Sequence, residues 1–210
     1  MKFCANISFM FAEASSLLER YALAKAAGFK AIESGFPFGF TLEQVKHAKE
    51  SAGIQQVLIN LKTVLYAKAV NAKKIHIMAG TLEHVSQIHW DTYESNLQYA
   101  ADVLRTEGLM GVIEPINHYS VPHYFLSDFG KAVEIIKRIN SPHLKLMLDV
   151  FHLQQISGDL SHAITELMPH VGHVQQLADS GYDDWVGLEY KPLANTNDGL
   201  QWINKYGYSL

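Results

Sequence analysis

Four polar residues stand at the ends of short apolar runs: Glu114 in GVIEPINH, Asp149 in LMLDVFH, Gln175 in GHVQ and Glu189 in VGLEY. A carboxylate that closes an apolar run sits where burial is expected, and burying an unpaired charge is costly. Three carboxylates and one amide oxygen brought together would repel one another unless something neutralises them. A divalent cation does that, and oxygen donors of this kind suit Mg²⁺ or Mn²⁺, whereas histidine-rich sets lean toward Zn²⁺. The other chemistry open to two glutamates is proton transfer, one acting as base and the other as acid. A single acidic residue at a strand end is as often a solvated loop position or a helix cap. The recurrence at four successive strand ends is what argues for a site. Pro115, which has no backbone donor, stiffens the turn after Glu114.

Eleven histidines are many for this length. His152 lies one turn past Asp149 and His118 just past Glu114, while His76 falls inside KIHIMAG. His152, His76 and His118, with Asn6 near the N-terminus, are candidates to touch a substrate or to orient the groups that do. A satisfied core histidine is the plain alternative for His76. His47, His84 and His162 fall on helices or loops and read as surface residues. His123, His143 and His170 flank prolines and read as structural.

The elements that must position these groups alternate. FCANISF, AIESGF, QQVLIN, KIHIMAG, MGVIEPIN, LKLMLDVFH, GHVQ and WVGLEY are strand candidates, each followed by a helix-like amphipathic stretch or a stub. Thr41 with Gln44 three residues on has the form of a capping box. Strands alternating with helices argue for parallel pairing through right-handed crossovers. Eight such units predict a single α/β domain, a closed (β/α)₈ TIM barrel spanning residues 1–210. A doubly wound sheet is the fallback, but it would usually carry a glycine-rich phosphate turn, and neither GxGxxG nor a P-loop occurs. In a (β/α)₈ barrel the active site lies at the C-terminal strand ends, which is where the four polar residues fall.

Bulk properties narrow the function. The 210 residues can bury one substantial core. The net charge of −4 argues against nucleic acid and acidic membranes, and there is no interleaving of aromatic and basic residues. No apolar run approaches a membrane span. The lone Cys4 excludes an internal disulfide and suggests a reducing, cytoplasmic compartment. The start MKFCANISFMFAEASS has some features of a weak signal peptide, but Asn6 and Ser8 interrupt its apolar stretch and CANISF alternates as a first strand would. Oligomeric state leaves no mark on the sequence.

Taken in order, ANISF, IHIMAG, EPIN, LDVFH, GHVQ and GLEY followed by proline resemble the hydroxypyruvate isomerase family of the xylose-isomerase-like TIM barrel superfamily. The resemblance runs over nearly the whole chain. It implies conversion of hydroxypyruvate to 2-hydroxy-3-oxopropanoate (tartronate semialdehyde), a small hydroxy-keto acid substrate and no organic cofactor. It implies Glu114 and Glu189 as the acid/base pair, and Glu114, Asp149, Gln175 and Glu189 as the set for a divalent metal, Mg²⁺ or Mn²⁺. The chain departs from that pattern at two joints, Asn60–Leu61 and Gln175–Gln176, where relatives carry long βα loops. QLADSGY is too short to return along a strand and begin the next. The expectation is that two βα loops are absent at these joints, through a true shortening or through residues that belong there and are missing. A sugar epimerase or dehydratase on the same barrel is one alternative. A catalytically impaired barrel kept as a binding protein is another.

Overall fold

The computed structural model describes residues 1–35, 39–60, 64–175, 183–192 and 195–210. Eight strands close into a barrel in chain order. They are β1 Lys2–Asn6, β2 Ala31–Ser34, β3 Gln55–Asn60, β4 Lys74–His76, β5 Met110–Ile113, β6 Leu144–Asp149, β7 Val171–Gln175 and β8 Trp185–Leu188. All eight strand candidates are therefore present, and the described pairings are parallel. The strands are largely buried on both faces because parallel strands in such folds are covered on both sides.

The chain divides into two compact units. The first comprises Met1–Lys73 and Gln176–Leu210. In it β1 pairs with β2, placing Asn6 opposite Glu33, and with β8, placing Cys4 opposite Gly187 and Ala5 opposite Leu188. Two helices return the chain from β1 to β2 and from β2 to β3: α1, Leu17–Ala26, and α2, Leu42–Ala52. Ser16 caps α1 by accepting from Leu18 N. The Thr41–Gln44 capping box predicted for α2 is formed in both directions. The short α3, Val64–Ala69, follows β3.

The second unit is Lys74–Gln175. Its strands run β4-β5-β6-β7, with His76 opposite Val112 and Asp149 opposite Gln175. The crossovers are α4, Gln87–Glu107, and α5, Phe129–Ile139. On α5 the residues Phe129, Ala132, Ile135, Ile136 and Ile139 are buried, the spacing of one helical face. Burial of each large aliphatic side chain contributes about 1.5–3 kcal/mol. Asp128 caps this helix by accepting from Lys131 N at 2.8 Å.

Three elements differ from the sequence reading. LKLMLDVFH reads as one strand, but β6 stops at Asp149 and a helix, α6, Val150–Ser157, starts at once. The cause is Asp149 itself, whose Oδ1 accepts from Phe151 N at 2.7 Å and so caps the helix. A further helix, α7, Leu160–Leu167, accounts for the predicted DLSHAITELM segment. KIHIMAG keeps strand geometry only to His76. Beyond it, Thr81 makes an isolated antiparallel bridge to Tyr124. The C-terminal helix divides into α8, Thr196–Gly199, and α9, Gln201–Lys205. Leu61–Thr63 and the stub Gln176–Tyr182, on which the expectation of two absent βα loops falls, lie outside the described residues.

Candidate active site

In the second unit, three strand ends and one helix start bring buried polar groups together. Glu114 follows β5 directly, Asp149 ends β6, and His152 lies in the first turn of α6. All three are buried, and each offers a ligand atom within 4.8 Å of the others. His76, at the end of β4, places Nε2 at 3.5 Å from Glu114 Oε2. His152 places Nε2 at 3.9 Å from Glu114 Oε1. The glutamate therefore lies between two imidazoles.

Both imidazoles are neutral at physiological pH. Burial lowers His76 to about 3, helped by the nearby His173 and His152. Burial lowers His152 to about 4. The contacts to Glu114 are thus approaches of neutral rings to a carboxylate rather than ion pairs. His76 Nε2 is buried and makes no hydrogen bond among the described residues. Tyr124 belongs to the same surroundings: its hydroxyl accepts from Ala79 N at 3.0 Å. Burial raises its pKa, and Glu114 adds to the rise.

The tautomer of His152 follows from its partner. Asn117, the last residue of EPIN, is buried. Its Oδ1 accepts from Ser120 N at 2.9 Å, which fixes the amide so that Nδ2 faces His152 Nδ1 at 2.7 Å. The Asn117 backbone N–H also points at Nδ1, at 3.4 Å. Two donors on Nδ1 make it an acceptor, so the proton of the neutral ring is on Nε2. The Nε2–H donates toward Glu114 or toward a substrate oxygen. A ring in this tautomer has no lone pair on Nε2 for a metal, so Glu114 and Asp149 are the stronger ligand candidates of the three.

Oxygen chemistry fits a hard divalent cation. Asp149 commits Oδ1 to the cap of α6 and is one of the three residues whose ligand atoms lie within 4.8 Å of one another. Gln175 is buried and stands opposite Asp149 in the β6–β7 register. Glu114, Asp149 and Gln175 together offer the carboxylate and amide oxygens that Mg²⁺ or Mn²⁺ takes.

The first unit holds its own buried polar group. Asn6 ends β1, and its Nδ2 donates to Glu189 Oε2 at 2.7 Å, just beyond the end of β8. The same Nδ2 donates to Glu33 Oε1 at 3.0 Å. Asn6 and Glu189, both selected from sequence, are thus in direct contact. His118 is exposed beside Asn117 and enters no hydrogen bond among the described residues.

Sequence reasoning missed three residues of these clusters. Asn117 ends EPIN, but an amide in a turn gives no sign of its partner until the fold sets His152 beside it. His173 shares a strand face with Gln175 two residues on, and that spacing was a usable signal. Glu33 sits in AIES, an acidic residue inside a strand as apolar as its neighbours, and it is wholly buried.

An eight-stranded parallel barrel with buried carboxylates at its strand ends has the architecture of the barrel enzymes, whose sites lie at the C-terminal strand ends. A family model described as "Xylose isomerase-like TIM barrel" matches residues 61–176. The "Putative hydroxypyruvate isomerase" of Danio rerio is 34% identical, the alignment covering 98% of this chain and 95% of that protein. The "Hydroxypyruvate isomerase" of Escherichia coli K12 is 29% identical over 98% of this chain and 99% of that protein. A crystal structure titled "AP endonuclease, family 2" from Brucella melitensis superposes with a TM-score of 0.90 at 29% identity, covering 98% of both chains. The chain belongs to the hydroxypyruvate isomerase family of xylose isomerase-like TIM barrels, and it is an enzyme of the isomerase class. The alignment with the Danio rerio protein runs over 263 positions, more than the 210 residues of this chain, so that relative carries residues for which this chain has no counterpart. No helix among the described residues is long and apolar enough to cross a membrane.

Proposed function

We propose that the chain interconverts hydroxypyruvate and 2-hydroxy-3-oxopropanoate, with Glu114 and Glu189 as the proton-transferring pair. The observation that carries this reading is the environment of Glu114: a buried carboxylate between two neutral imidazoles, beside a second carboxylate. A buried carboxylate beside a second carboxylate is stabilised by a proton or a metal. The family motifs assign Glu189 as its counterpart, and Glu189 likewise rests against a neutral donor, Asn6.

The reaction balances with two carboxylates alone. One, ionised, removes a hydrogen from C3 of hydroxypyruvate as the C3–H bond breaks and an enediolate forms. The other, protonated, delivers a proton to C2 as the new C–H bond forms. The proton on O3 passes to O2, leaving an aldehyde at C3 and a hydroxyl at C2. His152 Nε2–H is oriented to donate to an oxygen that gains charge in the enediolate. Glu114, Asp149, Gln175 and Glu189 are the residues that would hold Mg²⁺ or Mn²⁺. When bound, such a cation supplies electrophilic stabilisation to the oxygens of the enediolate. The single cysteine, Cys4, is buried, which fits a reducing, cytoplasmic setting. Two βα loops shorter than those of relatives, after Asn60 and after Gln175, belong to this reading, and they narrow the set of groups that can meet the substrate carboxylate.

The test is incubation with hydroxypyruvate, with and without Mn²⁺ and with a chelator, following tartronate semialdehyde. Formation of the semialdehyde supports the reading. Turnover of a ketose sugar without turnover of hydroxypyruvate would favour an epimerase. Inertness toward both, in a folded protein, would favour a barrel kept for binding.

A further inference from the structure

Glu33 is an acidic side chain with no solvent exposure, in the middle of the first unit. Its carboxylate is held from three sides. Oε1 accepts from Asn6 Nδ2 at 3.0 Å. Oε2 accepts from Cys4 Sγ at 3.9 Å. The whole group lies against the backbone of Gly187, so closely that a Cβ built there would fall 2.6 Å from either oxygen. Cys4 and Asn6 share one face of β1, and Gly187 and Glu189 share one face of β8. The glycine of VGLEY therefore has a physical reason: any side chain at 187 would take the place of the Glu33 carboxylate.

Asn6 joins this carboxylate to Glu189. Its Nδ2 carries two hydrogens, and one goes to each glutamate. Its Oδ1 accepts from Ser8 N at 3.1 Å. Turning the amide over would set an acceptor oxygen against two acceptor carboxylates. Glu33 thus holds the orientation of Asn6 independently of the state of Glu189, which gains and loses a proton during turnover.

We propose that Glu33 is a positioning residue for the isomerisation, acting through Asn6 to hold the Glu189 carboxylate in place. This rests on the reading of Glu189 as one of the proton-transferring pair. Glu33 is fully buried and acts through Asn6, so its loss is expected to affect turnover rather than binding.

The test compares Glu33→Gln with Glu33→Met. The glutamine keeps an acceptor oxygen for Asn6, whereas the methionine keeps volume and removes it. Positioning partners of this kind typically contribute about 10–10²-fold to activity. Glu33→Met is expected to lower kcat by that factor at nearly constant KM, and Glu33→Gln to restore most of it. Combined with Asn6→Ala, Glu33→Met is expected to add little, because the link is already cut. Full activity in Glu33→Met, or losses that multiply in the double variant, would overturn the proposal. If Glu33→Met does not fold, Gly187→Ala displaces the same carboxylate, and an unchanged kcat there overturns it equally. A Glu189→Gln protein as active as the parent would instead sink the reading of Glu189 as a proton-transferring group. Side-chain amide NMR reads the link without turnover. The Asn6 NH₂ is expected to exchange slowly in the parent and rapidly in Glu33→Met, and equal exchange in both would contradict the proposal.

Discussion

His152 receives on Nδ1 both the side-chain and the backbone N–H of Asn117, at 2.7 and 3.4 Å. One short motif, EPIN, thus delivers a carboxylate at Glu114 and, three residues later, the group that fixes the proton of a neighbouring imidazole. The ring is held as a donor on Nε2, directed toward Glu114.

Replacing the donor by an acceptor reverses this. In Asn117→Asp a carboxylate faces Nδ1 and favours the Nδ1–H tautomer, which turns Nε2 from donor to acceptor. A fall in kcat of about 10–10²-fold is expected, with imidazole nitrogen shifts in NMR reporting the tautomer. Unchanged shifts would show that the backbone N–H alone sets it.

The two neutral histidines predict how stability depends on pH. Both have folded pKa values lowered by burial, His76 to about 3 and His152 to about 4. Below the unfolded value of about 6.5 the unfolded chain takes up protons that the folded chain does not. Their contribution is therefore level above about pH 7 and falls as pH drops from about 6.5 toward 4. Each histidine adds a slope approaching about 1.4 kcal/mol per pH unit in that window. Urea midpoints of the metal-free protein at pH 7 and pH 5 check this, and His152→Gln should remove its share of the difference.

A packing prediction serves as a control. A Cβ on Gly172 would lie 2.5 Å from Lys145 Cβ and 2.7 Å from Met110 Sδ. Gly172→Ala is expected to cost about 1–3 kcal/mol through overpacking, seen as a lower denaturant midpoint. The folded fraction should keep its kcat, because position 172 touches none of the polar clusters.

The architecture was legible because its signals are local and repeated. Strand and helix periods alternate, Thr41 and Gln44 spell a capping box, and Glu114, Asp149, Gln175 and Glu189 each close or directly follow a strand. Where the reading erred, one residue served two elements. Asp149 ends β6 and caps α6, so the apolar VFH that follows looked like more strand. Glu33 stayed hidden because a strand-embedded glutamate looks like an outward-facing residue until its neighbours are known. Its inward place depends on the absence of a side chain at Gly187, on a distant strand.

Metal dependence separates the two uses of the carboxylates. With Glu114, Asp149, Gln175 and Glu189 as the holding set, Asp149→Asn should weaken Mn²⁺ binding about 10-fold or more, measured by calorimetry on the purified chain. The variant also keeps an oxygen to cap α6, so its helix content should not change. Equal Mn²⁺ affinity in the parent and in Asp149→Asn would remove Asp149 from the set.

The central claim, that Glu114 moves a proton of hydroxypyruvate, is tested most directly by Glu114→Gln. The amide keeps shape and a hydrogen-bonding oxygen but cannot exchange a proton. Turnover of hydroxypyruvate to tartronate semialdehyde should fall by about 10²–10⁴-fold in a protein with parental thermal stability. In deuterated water the parent should place solvent deuterium on C2 of the product, and the variant should not. Near-normal turnover by folded Glu114→Gln would contradict the account and return Glu114 to a ligand or structural carboxylate.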